Sequence, residues 1–180
     1  MSAKRRIRIF LIFIAIFAIA YSIGSESKLS EDDSKSFVKE FQHAVEGIDA
    51  IGIFTHNALV ALPMFIPGFG VAWGSFAAWS TGLAFRALVS TTPALAKLPP
   101  LAIIYLSPFG IMELIAYSIG MSRSFLLINT ILKKKTIVRE ELRSTVIEVG
   151  IVIALLLSAA FIEYAMIQEF GSSLVHPKIP

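Results

Sequence analysis

Gly70, Gly74, Ala78, Gly82 and Arg86 recur at every fourth position. Residues four apart stack on one face of a helix. The stretch 62–86 therefore predicts a helix with a groove nearly free of side chains and one cation at its end. In lipid, such a face admits a second helix backbone at close range, where dispersion and weak contacts hold the pair. The rest of the chain reads as anchoring, orienting or packing around this groove.

The groove belongs in lipid because of what surrounds it. Of 180 residues, 56% are hydrophobic and only 16% charged, where a soluble domain carries roughly 25%. The expected fold is an all-α, multi-pass transmembrane helix bundle. The net charge of +3 does not point to nucleic acid, because the basic residues form short clusters beside apolar runs. Orientation signals are distributed that way, whereas a nucleic-acid surface interleaves basic and aromatic residues on a soluble face. With no cysteine in the chain, disulfides, thiolate catalysis, Fe–S clusters and Cys-ligated zinc are excluded.

Lys4, Arg5, Arg6 and Arg8 precede or open an apolar run over residues 7–24. A basic start, an apolar middle and the small residues Ser22, Gly24 and Ser25 are also the parts of a signal peptide. The run exceeds the usual signal core of about 7–15 residues. At about 1.5 Å per residue it just crosses a hydrocarbon layer of about 30 Å. Residues 1–25 are accordingly expected to form a transmembrane helix or uncleaved signal anchor.

Residues 26–50 read as an extracytoplasmic amphipathic segment. Ser30 ahead of Glu31, Asp32 and Asp33 suits a helix N-terminus. Phe37, Val38, Phe41, Ala44, Val45 and Ile48 then follow at helical spacing. Such a helix would lie on the membrane or lead into the next span. A bundle over residues 51–169 follows. Its first span, 51–66, is short and contains His56, Asn57 and Pro63. Pro67-Gly68-Phe69-Gly70 makes a tight turn, and residues 70–89 form the next span, so the two make a helical hairpin. Pro93, Pro99, Pro100 and Pro108 punctuate a segment that is either a kinked span or a re-entrant or interfacial element. The prolines favour the second. Residues 108–132 and 145–167 complete about five spans, joined by a charged connector holding Lys133, Lys134, Lys135, Arg139, Glu140, Glu141 and Arg143. Residues 170–180 form a short polar tail. Placing both basic clusters in the cytoplasm gives a cell-membrane protein with a cytoplasmic N-terminus and an extracytoplasmic C-terminus.

The region 54–127 resembles the stage II sporulation protein M family of integral membrane proteins. The matching features are His56-Asn57 ahead of an apolar run and the glycines Gly70, Gly74 and Gly82. Ser107-Pro108-Phe109-Gly110-Ile111-Met112-Glu113-Leu114 follows, then Ala116 and small residues to Gly120. Phe109 stands where the family commonly has a histidine, while Asn57 and Glu113 remain. The resemblance implies a membrane scaffold, similar to one that helps assemble a peptidoglycan-degrading complex in spore formers. Many members lie in organisms that do not sporulate.

Ionisable residues inside spans are costly and mark contacts or sites. Here they are Arg86, Glu113, Arg123, Glu148 and Glu163. Arg86 and Glu113 lie near the outer ends of their helices, where they would pair, either as a gate or, as favoured here, as a structural ion pair. Arg123 either pairs with Glu148 or snorkels toward the cytoplasm. Glu163 is expected at the outer boundary, in contact with solvent. His56 and Asn57 suit interhelical hydrogen bonding better than a metal, since neither His43 nor His176 has ligand spacing with His56. Ser75, Ser80 and Ser107 have no nucleophile motif around them, and there is no metalloprotease signature or phosphate loop. The expected function is a non-enzymatic scaffold or assembly factor without cofactor or metal. Its expected partners are membrane lipids and other integral membrane proteins or further copies of itself, not nucleic acid. The alternatives are an accessory subunit of a larger membrane oxidoreductase or transporter, and a small-solute transporter formed by oligomerisation.

Overall fold

The computed structural model describes residues 3–45, 47–91, 99, 101, 107–133 and 139–175. Among them the chain forms six α-helices: α1 Ala3–Ser25, α2 Glu31–Val45, α3 Ala50–Ala61, α4 Phe69–Thr91, α5 Pro108–Leu132 and α6 Arg139–Val175. A 3-10 turn, Leu62–Phe65, prolongs α3.

The helix starts follow from local chemistry. At α2 the Asp33 N–H donates to the Ser30 hydroxyl at 3.1 Å. At α3 the Gly52 N–H donates to the Asp49 carboxylate at 2.7 Å. At α5 the Gly110 N–H donates to the Ser107 hydroxyl at 3.1 Å. Each side chain satisfies a donor that the helix leaves open. Pro108 occupies the first turn of α5, where its missing N–H removes nothing. It therefore starts this helix rather than kinking one. The proline-rich element expected between residues 93 and 106 lies outside the described residues, apart from Pro99 and Leu101.

The hairpin between α3 and α4 turns on Gly68, whose φ of 78° is open mainly to glycine. The Ser124 hydroxyl of α5 donates to the Ile66 carbonyl at 2.6 Å, and the Trp73 indole N–H donates to the Val60 carbonyl at 2.9 Å. The Ile66 carbonyl also accepts from the Gly70 N–H at 2.9 Å, so the serine adds a bond from α5 to a turn that its own backbone already closes.

Among the described residues, three helices are long and apolar enough to cross a membrane: α1, α5 and the stretch Glu141–Glu169 of α6. About five spans were expected. Ala50–Phe65 is apolar but shorter. Helix α4 has the length, at 23 residues, but its glycines, serines, threonines and tryptophans dilute its apolar character. Helix α6 runs on to Val175, so the segment expected to be a polar tail begins as helix; residues 176–180 lie outside the described residues.

Helix α1 is central to the packing. Ile9, Phe13, Phe17 and Tyr21 are buried, spaced so that they share one face. That face packs against α4 and α5. Phe13 meets Phe125 at 5.7 Å between ring centroids, Phe17 stacks on Tyr117 at 5.8 Å, and Tyr21 stacks on Phe85 at 6.4 Å. The residues expected to serve as an anchor thus supply part of the core. Helix α2 rests on α4 through the buried Ser34 and Val38, with its acidic first turn exposed. Helix α6 packs against α3 and α5 and leaves Val146, Ile147, Ile153 and Phe161 exposed, as a lipid-facing surface requires.

Candidate functional site

Two polar clusters lie inside the bundle. The first gathers α1, α5 and α6 around Arg123. Its Nε donates to Glu148 Oε2 at 2.7 Å and its Nη2 to Glu148 Oε1 at 2.7 Å, a forked arrangement that a guanidinium and a carboxylate suit geometrically. Its Nη1 donates to Glu141 at 3.0 Å. Glu148 also receives Arg6 Nε at 2.8 Å, and Arg6 Nη1 donates to the Ser122 hydroxyl at 2.8 Å. Two guanidiniums thus balance two carboxylates. The Arg123 side chain is only 4% exposed, so removing one partner would strand a charge where desolvation is most costly.

Small side chains adjoin the cluster. Ser118, Ser122 and Ser124 flank Arg123 in sequence on α5, and all three are fully buried. Ser122 faces α1 through Arg6, and Ser124 faces the α3–α4 hairpin through Ile66. The Ser122 hydroxyl, while accepting from Arg6, donates to the Ile119 carbonyl at 2.9 Å. The Ser118 hydroxyl is buried without a hydrogen-bond partner among the described residues.

The second cluster joins α3 to α5. Asn57 Nδ2 donates to Glu113 Oε1 at 2.7 Å. Glu163 of α6 is half-buried. His56, one residue from Asn57, is exposed, because adjacent helical residues point about 100° apart. The two do not act together.

Arg86 is exposed on α4 and forms no ion pair among the described residues. The expected Arg86–Glu113 pair does not form: Glu113 turns toward the amide of Asn57 instead. The neutral amide satisfies the carboxylate at hydrogen-bond distance, and Arg86 projects from a different face of α4. The Arg123–Glu148 contact does form, in place of snorkelling.

The small-residue ladder of α4 meets three neighbours. Toward its C-terminal end it packs against α1: a Cβ at Gly82 would collide with the Tyr21 carbonyl oxygen. The approach is reciprocal, since a Cβ at Gly24 would collide with the Trp79 carbonyl oxygen. Ala78, between them, is fully buried. Lower down, Gly74 faces the Met121 side chain of α5, and Gly70 faces the Met64 backbone of the hairpin. Helix α5 meets the ladder at Gly74, and α1 takes its C-terminal end because Gly24 gives α1 a complementary bare surface.

Sequence reasoning missed Arg6, Glu141 and Gly24. A signal for Arg6 was present: it shares the helical face of Ile9, Phe13 and Phe17, while Lys4, Arg5 and Arg8 are exposed. Among the described residues no three His, Asp or Glu side chains gather in a metal-binding group. Both clusters bond helices to one another, the first joining α1, α5 and α6 and the second α3 and α5.

A family model described as Stage II sporulation protein M matches residues 8–166. The match reaches well beyond the 54–127 region that carries the motifs. It takes in α1 from Arg8 onward and α6 up to Met166, so it includes Arg123, Glu141 and Glu148 but not Arg6. No curated protein and no solved structure matches the chain.

Proposed function

The chain belongs to the stage II sporulation protein M family, and on that premise we propose that it is a non-enzymatic membrane scaffold or assembly factor. The observation that carries this reading is the use made of its buried charges. Arg6, Arg123, Glu141 and Glu148 bond to one another across three helices, and Glu113 bonds to Asn57 across two. These groups are committed to holding helices together. In the proposed arrangement α1, the α3–α4 hairpin, α5 and α6 give five spans, with Arg6 and Glu148 at the cytoplasmic side. Helix α2 lies outside, and α6 offers its apolar face to lipid or to other integral membrane proteins.

The test is gentle detergent extraction of the full chain followed by mass identification of what co-purifies. Substoichiometric recovery of envelope-remodelling proteins is the outcome expected of a scaffold. Stoichiometric recovery within one multi-subunit enzyme would instead make it an accessory subunit. A homo-oligomer that passes solutes in liposomes would make it a transporter.

A further inference from the structure

One face of α4 carries an aromatic track leading to an unpaired cation. Phe69, Trp73, Phe76 and Trp79 form a continuous series, with ring centroids 6.0, 5.9 and 5.9 Å apart. Phe69 and Phe76 are half-exposed, at 50% and 53%. The track covers about 15 Å along the helix at about 1.5 Å per residue. Arg86 lies seven residues beyond Trp79, two helical turns on and so over the same face. It is exposed and makes no hydrogen bond or ion pair with any described residue.

An arginine near a helix end in lipid reaches for the interface. No carboxylate among the described residues lies within ion-pair distance of Arg86, and Glu113, the partner expected for it, bonds to Asn57. The missing partner is an anion at headgroup depth. At about 1.5 Å per residue, Trp79 and Phe76 lie about 10 and 15 Å below Arg86, within the half of a hydrocarbon layer of about 30 Å that one acyl chain spans. We propose that this face of α4 binds one anionic phospholipid, its phosphate on Arg86 and an acyl chain along Trp79 and Phe76 toward Trp73. Charge complementarity at Arg86 selects the headgroup, and the rings hold the chain through dispersion.

The molecule supplies its own probe. Its two tryptophans are Trp73 and Trp79, so intrinsic tryptophan fluorescence reports this track alone. The full chain is reconstituted into phosphatidylcholine nanodiscs with a minor fraction of lipid brominated in mid-chain, either phosphatidylglycerol or phosphatidylcholine. The brominated anionic lipid is expected to be enriched about fivefold at the track and to quench correspondingly more. Arg86→Gln should abolish that preference without changing the unquenched emission spectrum, and Arg86→Lys should retain most of it. Equal quenching by the two brominated lipids would overturn the proposal. So would a preference that survives Arg86→Gln, because it would trace to Lys4, Arg5 and Arg8 at the opposite end of the bundle.

Discussion

Arg123 and Glu148 clasp each other through two hydrogen bonds of 2.7 Å each. The contact ties α5 to α6, and Arg6 then ties α1 to the same carboxylate. One glutamate is therefore the joint of three helices. Neutralising it strips Arg6 of its carboxylate and leaves Arg123 with Glu141 alone. Glu148→Ala is expected to lower stability by about 3–5 kcal/mol, read as a shift in the SDS-induced unfolding midpoint in mixed micelles. Replacing both partners, as Arg123→Met with Glu148→Leu, should cost less than either single change. A double variant as damaged as the sum of the singles would contradict the pairing.

The close approach of α1 and α4 predicts a contrast between glycines. At Gly24 and Gly82 an added Cβ meets a backbone carbonyl of the facing helix, which cannot rotate aside. Gly82→Ala should cost about 1–3 kcal/mol through forced separation of the helices. At Gly150 an added methyl group would meet nothing within 4 Å, so Gly150→Ala should be neutral or stabilise by up to about 1 kcal/mol through helix propensity. Thermal unfolding of the two variants side by side separates packing from propensity.

Asn57 and Glu113 predict a coupling where Arg86 and Glu113 predict none. Hydrogen bonds between helices in lipid are worth about 0.6–2 kcal/mol, and a double-mutant cycle of Asn57→Ala with Glu113→Ala should return a value in that range. The charge swap of Arg86→Glu with Glu113→Arg should not restore the stability of the single variants. Rescue by the swap would show that Arg86 reaches Glu113 after all.

The hairpin turn takes a hydrogen bond from a serine of another helix. Ser124→Ala removes one of two donors to the Ile66 carbonyl, the Gly70 N–H remaining, and should cost about 0.5–1.5 kcal/mol, the net worth of one hydrogen bond. Hydrogen exchange at the 66–70 turn should accelerate before global unfolding does. Unchanged exchange there would mean the turn is held by Gly68 and its own backbone bonds alone.

Much of the architecture was legible because local rules fix it. The apolar runs and their lengths set the all-helical membrane class. Ser30, Pro67-Gly68 and Ser107-Pro108 marked a start, a turn and a start, because capping and left-handed backbone depend on residues adjacent in sequence. The four-residue spacing of Gly70, Gly74, Ala78 and Gly82 revealed a bare helix face. Asn57, Glu113, Arg123 and Glu148 stood out because polar groups in spans are costly. Each of these statements needs only one helix at a time.

Which helix met which face was settled in three dimensions. A four-residue period says that a groove exists, but its occupant depends on a second bare surface, and that surface is Gly24, distant in sequence. Charge alone offered Arg86 to Glu113; the rotation of α4 about its axis turned the arginine outward and left the carboxylate to an amide. Arg6 looked like one of four orientation signals until the packing of Phe13 and Phe17 carried it in to Glu148. Helix formation is local and reads from the chain. Partner choice depends on how several helix faces are rotated and stacked at once, which no single segment specifies.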